Sequence, residues 1–65
     1  MHITVNGKPE QTSAGDIAAY VQAKELEVNA LVVEHNGRVV ASGQWAQTPL
    51  NPGDRLELLS FVGGG

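Results

Sequence analysis

Two Asn-Gly pairs constrain the fold of this chain more than any other feature. Asn6-Gly7 and Asn36-Gly37 each stand between short runs with strand character. A pair of this kind is a strong hairpin signal, because both residues accept the positive φ that a tight two-residue turn demands. Before the first pair, Met1, Ile3 and Val5 alternate with His2 and Thr4, the period of a half-buried strand. After it, "KPEQT" is polar and carries Pro9. Proline cannot donate to a ladder, so this return strand belongs at a sheet edge and the first strand lies further inside. The second pair joins an extended run over Ala30 to Glu34 to a short strand over Arg38 to Val40, and this is the looser of the two hairpins.

A helix is expected between the hairpins. In "SAGDIAAYVQAKEL", Ser13 followed three residues later by Asp16 has the form of an N-terminal cap with an acid in the first turn. Ile17, Tyr20, Val21 and the stem of Lys24 share one face, a narrow alanine-rich stripe that suits one amphipathic helix of about three turns lying on a sheet. Leu26 and Val28 are expected to pin its exit. "ASGQWAQTPL" has no clean period and reads as an irregular crossover with a helical turn around Gln44 to Ala46, Trp45 closing one end of the core. "NPGD" then spells a sharp turn, with Pro52 pre-setting the backbone and Gly53 supplying positive φ.

In the closing strand, "DRLELLSF", Leu56 and Leu58 fall on one side while Glu57, Leu59 and Phe61 fall on the other. A strand apolar on both sides is either central in a two-sided core or offers one face to a partner. With a single helix available to cover the sheet, the partner reading is preferred. The expected fold class is α+β: a mixed sheet of four to five strands with one main helix packed on one face. Residues 1–60 form the domain, and residues 61–65 form a flexible tail.

Composition narrows the function. At 65 residues there is room for one small core and no deep cleft. The chain has no cysteine, which removes disulfides, thiolate nucleophiles and cysteine metal sites and makes the cytoplasm the expected compartment. Seven acidic residues against four basic ones give a formal charge of −3, so no basic patch is available to neutralise nucleic-acid phosphates. No window approaches the ~18 apolar residues of a membrane span. His2 and His35 are not spaced as a metal pair and read as surface residues. Ser13, Ser42 and Ser60 lack a nucleophile motif. Glu25 and Glu27 read as a solvated edge, and Gly7-Lys8 sits in a hairpin where a phosphate loop would precede a helix.

The remaining chemistry is at the end, "LSFVGGG". A closing glycine run is by itself a weak signal, because termini are commonly disordered and glycine runs also occur as linkers, so the idle reading is the default without further context. Here it follows directly on the strand expected at the centre. From Phe61 to Gly65 an extended chain reaches roughly 17 Å, and without side chains it can thread a narrow channel. A terminal carboxylate can attack the α-phosphate of ATP in a partner enzyme, and the resulting acyl-adenylate accepts sulfur or an amine. That chemistry belongs to the partner, so the chain is read as a protein co-substrate and not an enzyme, binding no cofactor or metal itself.

The start "MHITVNG", the central Asn-Gly hairpin, the ending "NPGDRLELLSFVGGG" and the short length together resemble the ThiS family, the sulfur carriers of thiamine (thiazole) biosynthesis. The resemblance spans the whole chain, and its most specific part is the ending. It implies a ubiquitin-like β-grasp fold. It also implies a C-terminal Gly65 that a ThiF-type adenylyltransferase activates with ATP. Sulfur from a cysteine desulfurase persulfide then gives a thiocarboxylate, which a ThiG-type thiazole synthase uses to build the thiazole ring from deoxyxylulose phosphate and a glycine-derived imine. Gly64 and Gly65 match the family's diglycine, Gly63 extends it, and all three would enter the partner's active site. Leu59, Phe61 and Val62 stand where such carriers present apolar surface to partners. MoaD-type carriers of molybdopterin synthesis share the fold and the diglycine, but tend to be longer and to reach the glycines through a proline that "SFV" lacks. The same ending would also suit a ubiquitin-like protein modifier, or a plain interaction domain with an idle tail.

Overall fold

Both Asn-Gly turns form as expected. The computed structural model describes residues 1–61, and in it Asn6 and Gly7 have φ of 51° and 82°, Asn36 and Gly37 φ of 50° and 87°. The first turn joins strand β1 (His2–Val5) to β2 (Lys8–Gln11), and the second joins β3 (Leu31–His35) to β4 (Arg38–Val40). Between the hairpins lie helix α1 (Ile17–Ala23) and a 3₁₀ turn (Val28–Ala30); a second 3₁₀ turn (Ser42–Gln47) leads towards β5 (Arg55–Ser60). The sheet order is β2-β1-β5-β3-β4. The last strand is therefore central, parallel to β1 and antiparallel to β3, and β2 with its proline is at an edge.

Alternation along each strand sends one set of side chains towards the helix. Ile3, Val5, Leu31, Val33 and Leu56 are buried there against Ile17, Tyr20 and Val21 of α1, with Trp45 and Leu50 completing the core. Trp45 closes one end as expected, and its indole N–H donates to the Val40 carbonyl at 2.8 Å, so the burial leaves no orphaned donor. The "NPGD" turn forms with Gly53 at φ 86°. Leu26 packs against the core, whereas Val28 is exposed and does not pin the loop.

Three expectations need correction. The helix is capped by Asp16, not Ser13: the Asp16 carboxylate accepts the Ala19 N–H at 2.8 Å, its own backbone is extended, and no acid lies in the first turn. Ser13 loses the role because the stretch before the helix is engaged elsewhere. Thr12 Oγ1 accepts the Ala14 N–H, the Gly15 carbonyl accepts the Leu50 N–H, and Asp16 bridges to Pro49. Starting three residues late, the helix has 7 residues, about two turns, where three were expected. Finally, Ala30 sits in the 3₁₀ turn and β3 runs on to His35, which alters the surroundings of that histidine.

Edge strand β2 is tied to the helix by a polar staple. The Tyr20 hydroxyl donates to Glu10 Oε2 at 2.7 Å, and Lys24 Nζ lies 2.9 Å from the same oxygen. The Tyr20 hydrogen bond, then that from Lys24, hold the Glu10 carboxyl below its ordinary range against the opposing effect of burial. Burial, and after it the carboxylate, push the Tyr20 phenol far above its usual range.

Candidate functional site: the open face and the end of β5

Strand β5 divides its residues between two faces. Leu56 is 1% exposed and Leu58 packs against the core, while Leu59 and Phe61 are 58% and 57% exposed. Register builds the outer face further: Leu59 lies opposite Val32, Glu57 opposite Glu34, and Glu34 opposite Val39. Val39 is exposed as well. The face away from the helix thus carries an apolar group, Val32, Leu59 and Val39, divided by two carboxylates directly across from each other on neighbouring strands. Like charges so placed disfavour the isolated sheet slightly.

The start of β5 is fixed by a polar knot. Asn36 of the second hairpin donates its N–H to the Arg55 carbonyl at 2.9 Å and accepts the Arg55 N–H on its side-chain oxygen at 2.8 Å. Asp54 accepts from His35 Nε2 at 2.8 Å, from the Asn36 amide at 3.2 Å and from the Asn51 N–H at 2.9 Å. Burial works to raise the Asp54 carboxyl, but these hydrogen bonds and the His35 charge prevail and it lies below its ordinary range. His35 is therefore not the surface residue its sequence context suggested. Its side chain is 17% exposed, because β3 continues one residue further and turns it inward beside Leu56. Nothing short-range signals a partner 19 residues away.

The end of β5 is held by two bonds of 2.7 Å: Phe61 N–H to the Ala30 carbonyl, and Leu58 N–H to the side-chain oxygen of Asn6. That role of Asn6 was missed, since its turn geometry accounts for it fully in sequence. Val32, Val39, Glu34 and Glu57 also escaped notice as surface companions of Leu59; alternation assigns each a side of its own strand, and only cross-strand register brings them together. Glu25 and Glu27 are exposed. Val62, Gly63, Gly64 and Gly65 lie outside the described residues. Among the described residues there is no cavity, no group of three metal-ligating side chains, and no helix long and apolar enough to cross a membrane.

Comparison with known proteins agrees with this geometry. Residues 3–65 match the family model described as the ThiS family. The fold superposes with TM-score 0.84 on the crystal structure of the thiamine biosynthesis protein (ThiS) from Geobacter metallireducens, at 32% identity over 100% of both chains. A solution structure of a thiamine biosynthesis protein from the same organism gives TM-score 0.81 at 32% identity, over 100% of this chain and 88% of that one. A curated thiazole synthase from Paramagnetospirillum magneticum is 32% identical over 66 aligned residues, and the chain, matched along its full length, spans 20% of that protein.

Proposed function

The chain belongs to the ThiS family, and from that premise we propose that it is a sulfur carrier for thiazole formation in thiamine biosynthesis. The observation that carries this reading is the family match over residues 3–65, which takes in the closing glycines. The carboxylate of Gly65 attacks the α-phosphate of ATP in a ThiF-type adenylyltransferase, releasing pyrophosphate. The outer sulfur of a cysteine desulfurase persulfide attacks the resulting acyl-adenylate and releases AMP. A second thiol cleaves the acyl disulfide so formed and leaves as a disulfide with the desulfurase cysteine, and the thiocarboxylate delivers its sulfur to a ThiG-type thiazole synthase. Similarity to a stretch of a protein named thiazole synthase supports the last partner. Gly63, Gly64 and Gly65 enter the partner's active site, while Leu59, Phe61 and Val62 dock against its surface. The chain itself is a cytoplasmic co-substrate; ATP is bound by the partner.

Mass spectrometry tests this directly. Incubated with ATP, a ThiF-type enzyme, a persulfide source and a thiol reductant, the chain gains about 16 Da at Gly65 as oxygen is exchanged for sulfur. Removing Gly65, or adding one residue after it, abolishes the gain and leaves the fold intact. Retained modification in either variant would show that the carboxylate of Gly65 is not the reacting group, and conjugates to lysine would assign the chain to the protein modifiers instead.

A further inference from the structure

Strand β5 outruns its neighbour β1. The two pair only at Thr4 with Arg55 and Val5 with Leu56, after which β1 turns away through Asn6-Gly7. Hydrogen-bonding groups of β5 alternate in direction. Those of Arg55 and Phe61 face β3, with Asn36 N–H donating to the Arg55 carbonyl and Phe61 N–H to the Ala30 carbonyl. Those of Asp54 and Leu56 face β1, their carbonyls accepting from Thr4 and Asn6. Leu58 and Ser60 share this second direction. The Leu58 N–H is taken by the Asn6 side chain, which stands in for the strand that has ended. Beyond it, the Leu58 carbonyl and the N–H and carbonyl of Ser60 have no hydrogen-bond partner among the described residues, and Ser60 is exposed.

This inner edge is unlike the two outer ones. The free side of β2 is blunted by Lys8 and Pro9, and β4 is only 3 residues long and opens with Arg38, the usual devices against unwanted strand pairing. From Leu58 to Phe61 there is no charge and no proline, and the exposed side chains include Leu59 and Phe61. This undefended edge belongs to the strand that comes immediately before the closing residues in the sequence, where a visitor could pair with it.

We propose that the edge of β5 from Leu58 to Ser60, on the β1 side and beyond Asn6, receives an extended segment of the adenylating partner by strand addition. Main-chain bonds to the Leu58 carbonyl and to Ser60 set the register, Asn6 marks where the added strand must stop, and Leu59 and Phe61 supply the side-chain contacts. The added strand fixes the end of β5, the last described strand before the closing glycines in the sequence. This inference rests on the carrier reading above and adds to it the backbone surface that the partner grips.

Amide hydrogen exchange of the whole chain, free and bound to a ThiF-type enzyme with ATP, tests it. The Ser60 amide slows by about tenfold or more in the complex. The Val39 amide, turned outward on β4 one residue beyond the His35–Arg38 pair that closes the hairpin, keeps its rate. Ser60→Pro, which removes a donor the fold does not use, raises the KM of the chain as adenylation substrate by about tenfold, the worth of one good hydrogen bond, with kcat within about twofold. An unchanged Ser60 exchange rate in a complex that forms adenylate would overturn the proposal, as would an unchanged KM for Ser60→Pro. A chain that dimerises in solution and loses the dimer on Ser60→Pro would give the edge to a second copy instead. Should that variant not fold, exchange in the unsubstituted chain decides alone. If the unsubstituted chain forms neither complex nor adenylate, the carrier reading fails first, and that result is distinct from all the others.

Discussion

The two faces of the sheet are made from the same strands and obey opposite rules. Towards the helix, Ile3, Val33 and Leu56 are 0–2% exposed and meet Ile17, Tyr20 and Val21. Away from it, Leu59 and Phe61 are more than half exposed, and Leu59 shares its face with the carboxylates of Glu57 and Glu34. Residues one or three apart in β5, such as Leu58 and Leu59 or Leu56 and Leu59, therefore differ in what they contribute: the inner ones pack into the core and the outer ones stand in solvent. In a domain this small the outer apolar residues represent unused burial, which makes them available for recognition.

Substitution along β5 should break this contrast if it is wrong. The largest effect is expected at Leu56→Ala, which empties a site in the centre of the core and costs about 2–5 kcal/mol; Leu59→Ala should stay within about 0.5 kcal/mol of the unsubstituted chain. Urea denaturation of the pair measures both, and equal losses would mean that the outer face is packed in solution. Next is Phe61→Asp, which should weaken binding to the proposed adenylating partner by about 2 kcal/mol while moving stability by no more than about 0.5 kcal/mol. A collapsed melting temperature would place Phe61 in the core.

A smaller effect sharpens the comparison at the polar knot before β5. Because the folded Asp54 carboxyl titrates below its ordinary range, folding favours its charged form. The stability it contributes is fully present above the unfolded value near pH ~4 and is lost as pH falls through the lower folded value. Glu10 is shifted in the same direction and adds to the same acid limb. Asp54→Asn should thus be less stable than the unsubstituted chain at about pH 6, with the gap narrowing towards about pH 3. A gap that stays constant across that range would show that the charge of Asp54 is immaterial and only its hydrogen-bonding shape matters.

Much of this was legible in the sequence wherever a short-range rule decides the outcome. The Asn-Gly pairs, the "NPGD" turn, the alternation in β1 and β5, and the helix face of Ile17, Tyr20 and Val21 all form as read. The helix cap was misplaced because Ser13 and Asp16 are both competent caps, and the choice between them is made by pairing of the preceding stretch with residues 48–50. His35 was misread for a similar reason, since its partner Asp54 arrives from a different element. In the candidate site, alternation placed Leu59 and Phe61 outward, but their neighbours Val32 and Glu57, and the bond from Leu58 to Asn6, depend on register.

What the sequence alone determined is local: where the chain turns, which side of each strand is apolar, and that its last residues are glycines. Backbone sterics and periodicities of about 2 and 3.6 act over a few residues and need no knowledge of the rest. Tertiary structure decided which strands meet. The parallel pairing of β1 with β5 brings Asn6 to Leu58 across 52 positions, sets the point at which β1 ends beside the longer β5, and leaves the Ser60 edge open. No local rule specifies that pairing, because it is settled by burying all the apolar faces against one helix at once.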